Sequence, residues 1–171
     1  MKGYVQVYTG NGKGKSTAAY GLALRAAGAG LSVLIIQFLK SRKCSEHNAF
    51  KRLSDLITIK QFGQEGFFIN NPTKKQILIS EKALEETKKE IGSRKYDVVI
   101  LDEINMAIAF KLIRVEDIIE LIKNKPDDVE LVLTGRNAHP KIVEMADLVT
   151  VMSEKKHYYR KGIRARIGID L

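Results

Sequence analysis

A single cysteine, three prolines and the lack of any apolar run of about eighteen residues narrow what this chain of 171 residues can be. With only Cys44, no internal disulfide can form. The stretch Cys44-Ser45-Glu46-His47 lacks the further ligands that a zinc site needs, so Cys44 reads as an ordinary loop residue. No segment is long and apolar enough to span a membrane. Met1-Lys2-Gly3 runs straight into the first strand without a signal-peptide core, which points to a cytoplasmic protein with no membrane partner. Acids are scarce as well: 20 Asp and Glu against 29 Lys and Arg leave a formal charge of +9, which suits solubility and also anionic ligands. The densest cationic run, Lys155 to Arg166, interleaves Tyr158 and Tyr159 with lysines and arginines, as many nucleic-acid sites do. At 44% hydrophobic residues, the chain can bury one substantial core, so residues 1–171 are expected to be a single domain.

What is present is a phosphate loop. Thr9-Gly10-Asn11-Gly12-Lys13-Gly14-Lys15-Ser16-Thr17 follows the strand-like Tyr4-Val5-Gln6-Val7-Tyr8 and precedes a helix of small residues, Ala18 to Ala27. Glycines at 10, 12 and 14 can take positive φ and carry no Cβ, so successive amides can turn toward an anion at close range. The start of the helix adds its partial positive charge. Lys15 is placed to reach phosphate oxygens, and the Ser16 hydroxyl to ligate the Mg²⁺ that travels with a nucleotide. Thr9 stands where ordinary loops of this kind begin with Gly or Ala.

Periodicity organises the rest. Ser32 to Leu39 is a nearly continuous apolar run, as in a parallel strand covered on both faces. Lys40 to Asn48 is polar and reads as a mobile surface loop, 57–62 as a strand, 63–71 as a loop carrying Phe67 and Phe68, and 73–94 as a long amphipathic helix with Ile77, Leu84 and Ile91 on one stripe. A strand over 97–103 ends in Asp102-Glu103. Helices over 105–110 and 115–123, a strand over 130–134, the turn Gly135-Arg136-Asn137, a helix over 139–146 and a strand over 148–152 complete the pattern. The alternation predicts an α/β fold of the three-layer phosphate-loop NTPase type, a mostly parallel Rossmann-like sheet with helices on both faces and its ligand at the strands' carboxyl ends.

A hydrophobic strand ending in two acids is the usual partner of a phosphate loop, because a carboxylate there can hold Mg²⁺ directly or through water, so Asp102 and Glu103 are candidate metal ligands. If Glu103 polarises a water the protein is an ATPase; if it only helps to place the metal, ATP is cut elsewhere. Arg136 is expected at the same sheet edge, where it would meet phosphate or lie idle on the surface, and Arg25 has the same two readings. His139 before Pro140 reads as a helix-start residue.

Together the stretch Thr9 to Ala19, Gln37-Phe38-Leu39-Lys40, Leu101-Asp102-Glu103, Thr134-Gly135-Arg136, Ala146 to Thr150, and the ending that contains Lys156-His157, Gly162-Ile163, Ala165-Arg166 and Gly168-Ile169-Asp170 resemble the phosphate-loop ATP:corrinoid (cob(I)alamin) adenosyltransferases along essentially the whole chain. The resemblance implies transfer of the 5′-deoxyadenosyl group of ATP to the cobalt of a reduced corrinoid, with release of triphosphate. It also implies that ATP lies reversed in the loop, that a reductase or flavoprotein supplies electrons, and that the enzyme is a homodimer that does not need nucleic acid. Co(I) is a strong nucleophile and needs no general base, so the protein's task is to align C5′ and to stabilise the departing polyanion.

Carried over by position, Asn11 to Thr17 bind the triphosphate, with Ser16 keeping the hydroxyl of a threonine common in relatives. Arg25 matches an arginine associated with nucleotide binding, and Glu103 the acid near the metal, so Lys15 and Glu103 are the candidate catalytic pair. Phe67 matches an aromatic that presses on the corrinoid's lower face and helps expel its axial ligand; Ile69 stands where relatives have a second aromatic. The competing readings are a nucleic-acid-stimulated ATPase that uses Glu103 and the basic tail, and a nucleotide-binding module without turnover.

Overall fold

The computed structural model describes residues 2–63 and 72–171. In chain order these form β1 (Val5–Thr9), α1 (Lys15–Gly28), β2 (Val33–Phe38), α2 (Ser45–Lys51), β3 (Ile57–Phe62), α3 (Lys74–Gly92), β4 (Val98–Asp102), α4 (Ile104–Ala109), α5 (Val115–Lys123), β5 (Glu130–Thr134), α6 (Pro140–Met145) and β6 (Leu148–Val151), followed by a short 3-10 turn over Tyr158–Lys161. One sheet results, in the order β3-β2-β4-β5-β1-β6, and every neighbouring pair is parallel.

The β-branched and leucine runs of the central strands are buried on both faces because the sheet divides two cores. Leu34, Ile36 and Phe38 of β2, Val99 and Leu101 of β4, and Leu131 and Leu133 of β5 face one way, where α3, α4, α5 and α6 cover them. The alternate residues Val33, Ile35, Val98, Ile100 and Val132 face the other way, against Ala19, Ala23, Ala26 and Ala27 of α1 and Phe50 of α2. Alanines at these spacings let α1 lie close on the sheet and bring its first turn to the strand ends. The α/β expectation therefore holds, including the strand-by-strand alternation of helices.

Three local findings refine the sequence reading. The stretch expected to be a loop over 40–48 runs into α2 at Ser45: the Cys44 amide donates to His47 Nδ1 at 3.0 Å, and Phe50 packs edge-on to Tyr20 at 5.5 Å between ring centroids. At the other end of the sheet β6 is exposed along its length, with Leu148, Val149 and Val151 all open to solvent. Its register on β1 is set by Asp147, whose carboxylate accepts from the Val5 amide at 2.8 Å while its own amide donates to the Val5 carbonyl at 2.9 Å. His139 caps α6 as expected, its Nδ1 accepting from the Lys141 amide at 3.2 Å. No helix among the described residues is long and apolar enough to cross a membrane.

The order matters for chemistry. β1 leads into the phosphate loop and β4 ends in Asp102-Glu103, with β5 alone between them. All three carboxyl ends meet at one edge, where a parallel α/β sheet binds its ligands.

Candidate active site

The loop from Thr9 to Gly14 is held in shape by the strands beside it. Gly10 and Gly14 take φ of +100° and +117°, and a Cβ on Gly10 would lie 2.4 Å from the Met152 carbonyl oxygen, so the close approach to the end of β6 requires glycine there. The Gly12 amide donates to that same carbonyl at 2.7 Å; this one amide braces the loop instead of turning toward an anion. Thr9 has a use that its departure from the usual pattern did not suggest. Its Oγ1 accepts from the Ala138 amide at 3.3 Å and ties the loop to the turn after β5.

Lys15 opens α1, nearly buried, with Nζ donating to the Gly12 carbonyl at 2.7 Å across the loop. Burial holds its pKa below the ordinary lysine value, and Arg136 adds to this, while Glu103 and Asp102 oppose it. The ammonium is therefore poorly compensated by protein groups and gains from a polyanion in the loop.

Behind the loop is a fully buried carboxylate. Asp102 Oδ1 accepts from Ser16 Oγ and Thr134 Oγ1, both at 2.7 Å, and Oδ2 accepts from the Tyr20 hydroxyl at 2.5 Å and from Lys40 Nζ at 2.6 Å. Gln37 Nε2 supports Tyr20 at 2.6 Å. Burial opposes ionisation of Asp102, but the charge and hydrogen bond of Lys40, with the hydrogen bonds of Tyr20 and Ser16, outweigh it and hold the group below the usual carboxylate range. Lys40 is held above its ordinary value: desolvation lowers it, and Asp102 more than reverses that.

Glu103 differs from its neighbour. It sits at φ 64° as the N-cap of α4, its amide donating to Thr134 Oγ1 at 3.0 Å, and burial followed by the Asp102 charge raises its pKa above that of an ordinary glutamate. Arg136 is exposed on the turn at Gly135, and its charge bears on both Lys15 and Glu103.

The structure thus brings Thr9 to Thr17, Asp102, Glu103 and Arg136 to one edge of the sheet. Arg25 is exposed ten residues along α1 from Lys15, about 15 Å at the usual helical rise, and is not part of this cluster. Phe67 lies outside the described residues. Tyr20, Lys40 and Thr134, which hold Asp102, were not evident as site residues from the sequence. The signals for two of them were the strand exit Gln37-Phe38-Leu39-Lys40 and the turn Thr134-Gly135-Arg136, which count among the resemblance motifs but do not themselves point to Asp102.

The family model for the ATP:corrinoid adenosyltransferase BtuR/CobO/CobP matches residues 1–171, the whole chain and every element of this site. The chain belongs to the ATP:corrinoid adenosyltransferases. Relatives of that family include a corrinoid adenosyltransferase of Sinorhizobium sp, 35% identical over 99% of this chain and 80% of its own length, and one of Escherichia coli strain K12, 31% identical over 99% of this chain and 86% of its own. Among solved structures, a KaiC-like protein from Pyrococcus horikoshii OT3 superposes with a TM-score of 0.61 over 91% of this chain and 75% of the other, at 16% identity. That likeness supports the phosphate-loop α/β fold of this adenosyltransferase-family chain and nothing more specific.

Proposed function

We propose that this protein transfers the 5′-deoxyadenosyl group of ATP to the cobalt of a reduced corrinoid and releases triphosphate. The observation that carries the reading is the coincidence of two things: a family match spanning residues 1–171, and a phosphate loop whose one nearly buried cation, Lys15, forms no ion pair with a carboxylate among the described residues.

In the reaction the electron pair of Co(I) forms a bond to C5′, the bond from C5′ to the α-phosphate oxygen breaks, and its electrons leave on the triphosphate. No proton needs to move, so no side chain is required as a base. The protein's contribution is alignment of C5′ and neutralisation of the leaving polyanion, a reading that the positions of the α1 N-terminus and Lys15 support. Glu103, with its raised pKa, sits beside Lys15 as a tuning charge in this scheme and not as an activator of water.

The residues present fit a nucleotide-borne Mg²⁺. No group of three metal-ligating side chains exists among the described residues, so such an ion would take most of its oxygens from phosphates and water, with Ser16 Oγ as the protein ligand and Asp102 behind it. When bound it would neutralise charge on the triphosphate. Direct ligation by Asp102 would require one of its four donors, Ser16, Thr134, Tyr20 or Lys40, to give up its hydrogen bond.

Product identity tests the proposal. With ATP and chemically reduced corrinoid, the expected product is intact triphosphate in equal amount to the adenosylated corrinoid. Orthophosphate released under DNA or RNA stimulation would favour an ATPase instead, and release of neither product would leave a binding module.

A further inference from the structure

The end of the chain folds back over the phosphate loop. The amides of Ile169, Asp170 and Leu171 all donate to the Arg166 carbonyl, at 3.2, 2.8 and 3.1 Å, and make a compact knot of residues 166–171. From this knot the Asp170 carboxylate accepts from Lys13 Nζ, from the Tyr158 hydroxyl, and from the backbone and side chain of Arg166 at 3.1 and 3.2 Å. Lys13 Nζ also donates to the Ile169 carbonyl at 2.7 Å, and Ser45 Oγ at the start of α2 donates to the Leu171 carbonyl at 2.7 Å. The Arg166 guanidinium lies 4.7 Å over the Tyr158 ring and stiffens the knot.

The tail therefore bridges the tip of the loop and the first turn of α2. A cavity of about 840 Å³ is lined by Ser16, Thr17 and Tyr20 together with Ile169 and Leu171. That size suits a nucleotide-scale ligand.

We propose that residues 166–171 are a fixed wall of the nucleotide cavity and that Asp170 is a positioning residue, holding Lys13 and the glycine-rich loop tip ready to receive the polyphosphate. A loop with glycines at 10, 12 and 14 loses more backbone freedom on ordering than other sequences do, so an anchor at its tip contributes to affinity by reducing what ATP must order. Asp170 does not compete for the phosphate's place, because Tyr158 and Arg166 keep it on the tail. An ammonium has three N–H donors, and Lys13 uses two on the tail, which leaves one for phosphate. Desolvation alone would lower the Lys13 pKa; Asp170 raises it above the ordinary value, so the donor stays charged.

This inference rests on the nucleotide-binding reading of the loop, and its test reads ATP affinity separately from turnover. In isothermal titration of the full chain, Asp170→Ala is expected to weaken ATP binding about tenfold, while Asp170→Glu stays within about threefold of wild type. In a Lys13→Ala background the same Asp170→Ala change should add less than about twofold, since its effect passes through Lys13, and the KM for the corrinoid should not move in any of these proteins. Asp170→Asn, of the same shape, carries the comparison if the alanine protein fails to fold. Unchanged ATP affinity in the Asp170 variants, or an equal loss with and without Lys13, would overturn the assignment. Intact coupling between Asp170 and Lys13 without any triphosphate formed would instead remove adenosyl transfer and leave the role of the tail standing.

Discussion

Replacing Lys15 with alanine is expected to lower kcat/KM by about 10²-fold or more, because a positioned cation at a developing negative charge is worth that much when water is excluded. The structure argues for a large effect on two grounds. Lys15 is nearly buried and donates within its own loop to the Gly12 carbonyl, so its location does not depend on a mobile surface chain. Among the described residues it also forms no ion pair with a carboxylate, so its charge is available to the triphosphate. Alanine is the best helix former at the first residue of α1, which makes misfolding a poor explanation for lost activity. Single-turnover adenosylation with pre-reduced corrinoid measures the effect without interference from reduction. Turnover within a few-fold of wild type would remove Lys15 from the role given to it.

The second large effect concerns stability. Asp102→Ala leaves Lys40 without its carboxylate and Ser16, Tyr20 and Thr134 without their acceptor, and a buried pair broken in this way typically costs about 3–5 kcal/mol. Urea denaturation of the variant and of wild type gives the difference, and adding Lys40→Met to Asp102→Ala should recover part of it by removing the stranded charge. The pH dependence has a definite sign. Asp102 is held below its ordinary 3.8, so its contribution is present above that value and is lost as pH falls through the folded one. Lys40 is held above 10.5, so its contribution is present below that value and is lost as pH rises through the folded one. The stability gap between wild type and Asp102→Ala should therefore be level between about pH 5 and 9 and narrow outside it. A gap below about 1 kcal/mol at neutral pH would mean that the cluster is not the structural centre of the site.

Both predictions depend on contacts that differ in how far they could be read from sequence. The phosphate loop was legible because its chemistry is local: glycine spacing, a lysine and a hydroxyl lie within nine residues, flanked by a period-two strand and a helix. The run ending at Asp102 was legible for a similar reason, since both faces of β4 are buried and the apolar stretch stops where the carboxylate begins. The partners of Asp102 were not legible. Tyr20 and Lys40 lie 82 and 62 residues away in sequence, and only the order β2-β4-β5-β1 brings α1 and the exit of β2 to the same edge. Likewise nothing local connects Lys13 to Asp170, 157 residues on. The start of α2 reads as loop in the sequence because Phe50 is the helix's one buried residue and its cap uses Cys44 and His47 in place of the usual Ser, Thr, Asp or Asn.

Adenosyl transfer and ATP hydrolysis cut different bonds, and an ATP analogue separates them directly. In β,γ-imido-ATP the bond from C5′ to oxygen is unchanged and the terminal linkage is resistant. If the loop delivers C5′ to the cobalt, the analogue should support adenosylcorrinoid formation at a rate within about tenfold of ATP, and imidotriphosphate should be released whole. An analogue that binds with the affinity of ATP yet yields no adenosylcorrinoid, while ATP itself is split to orthophosphate, would contradict the proposed chemistry.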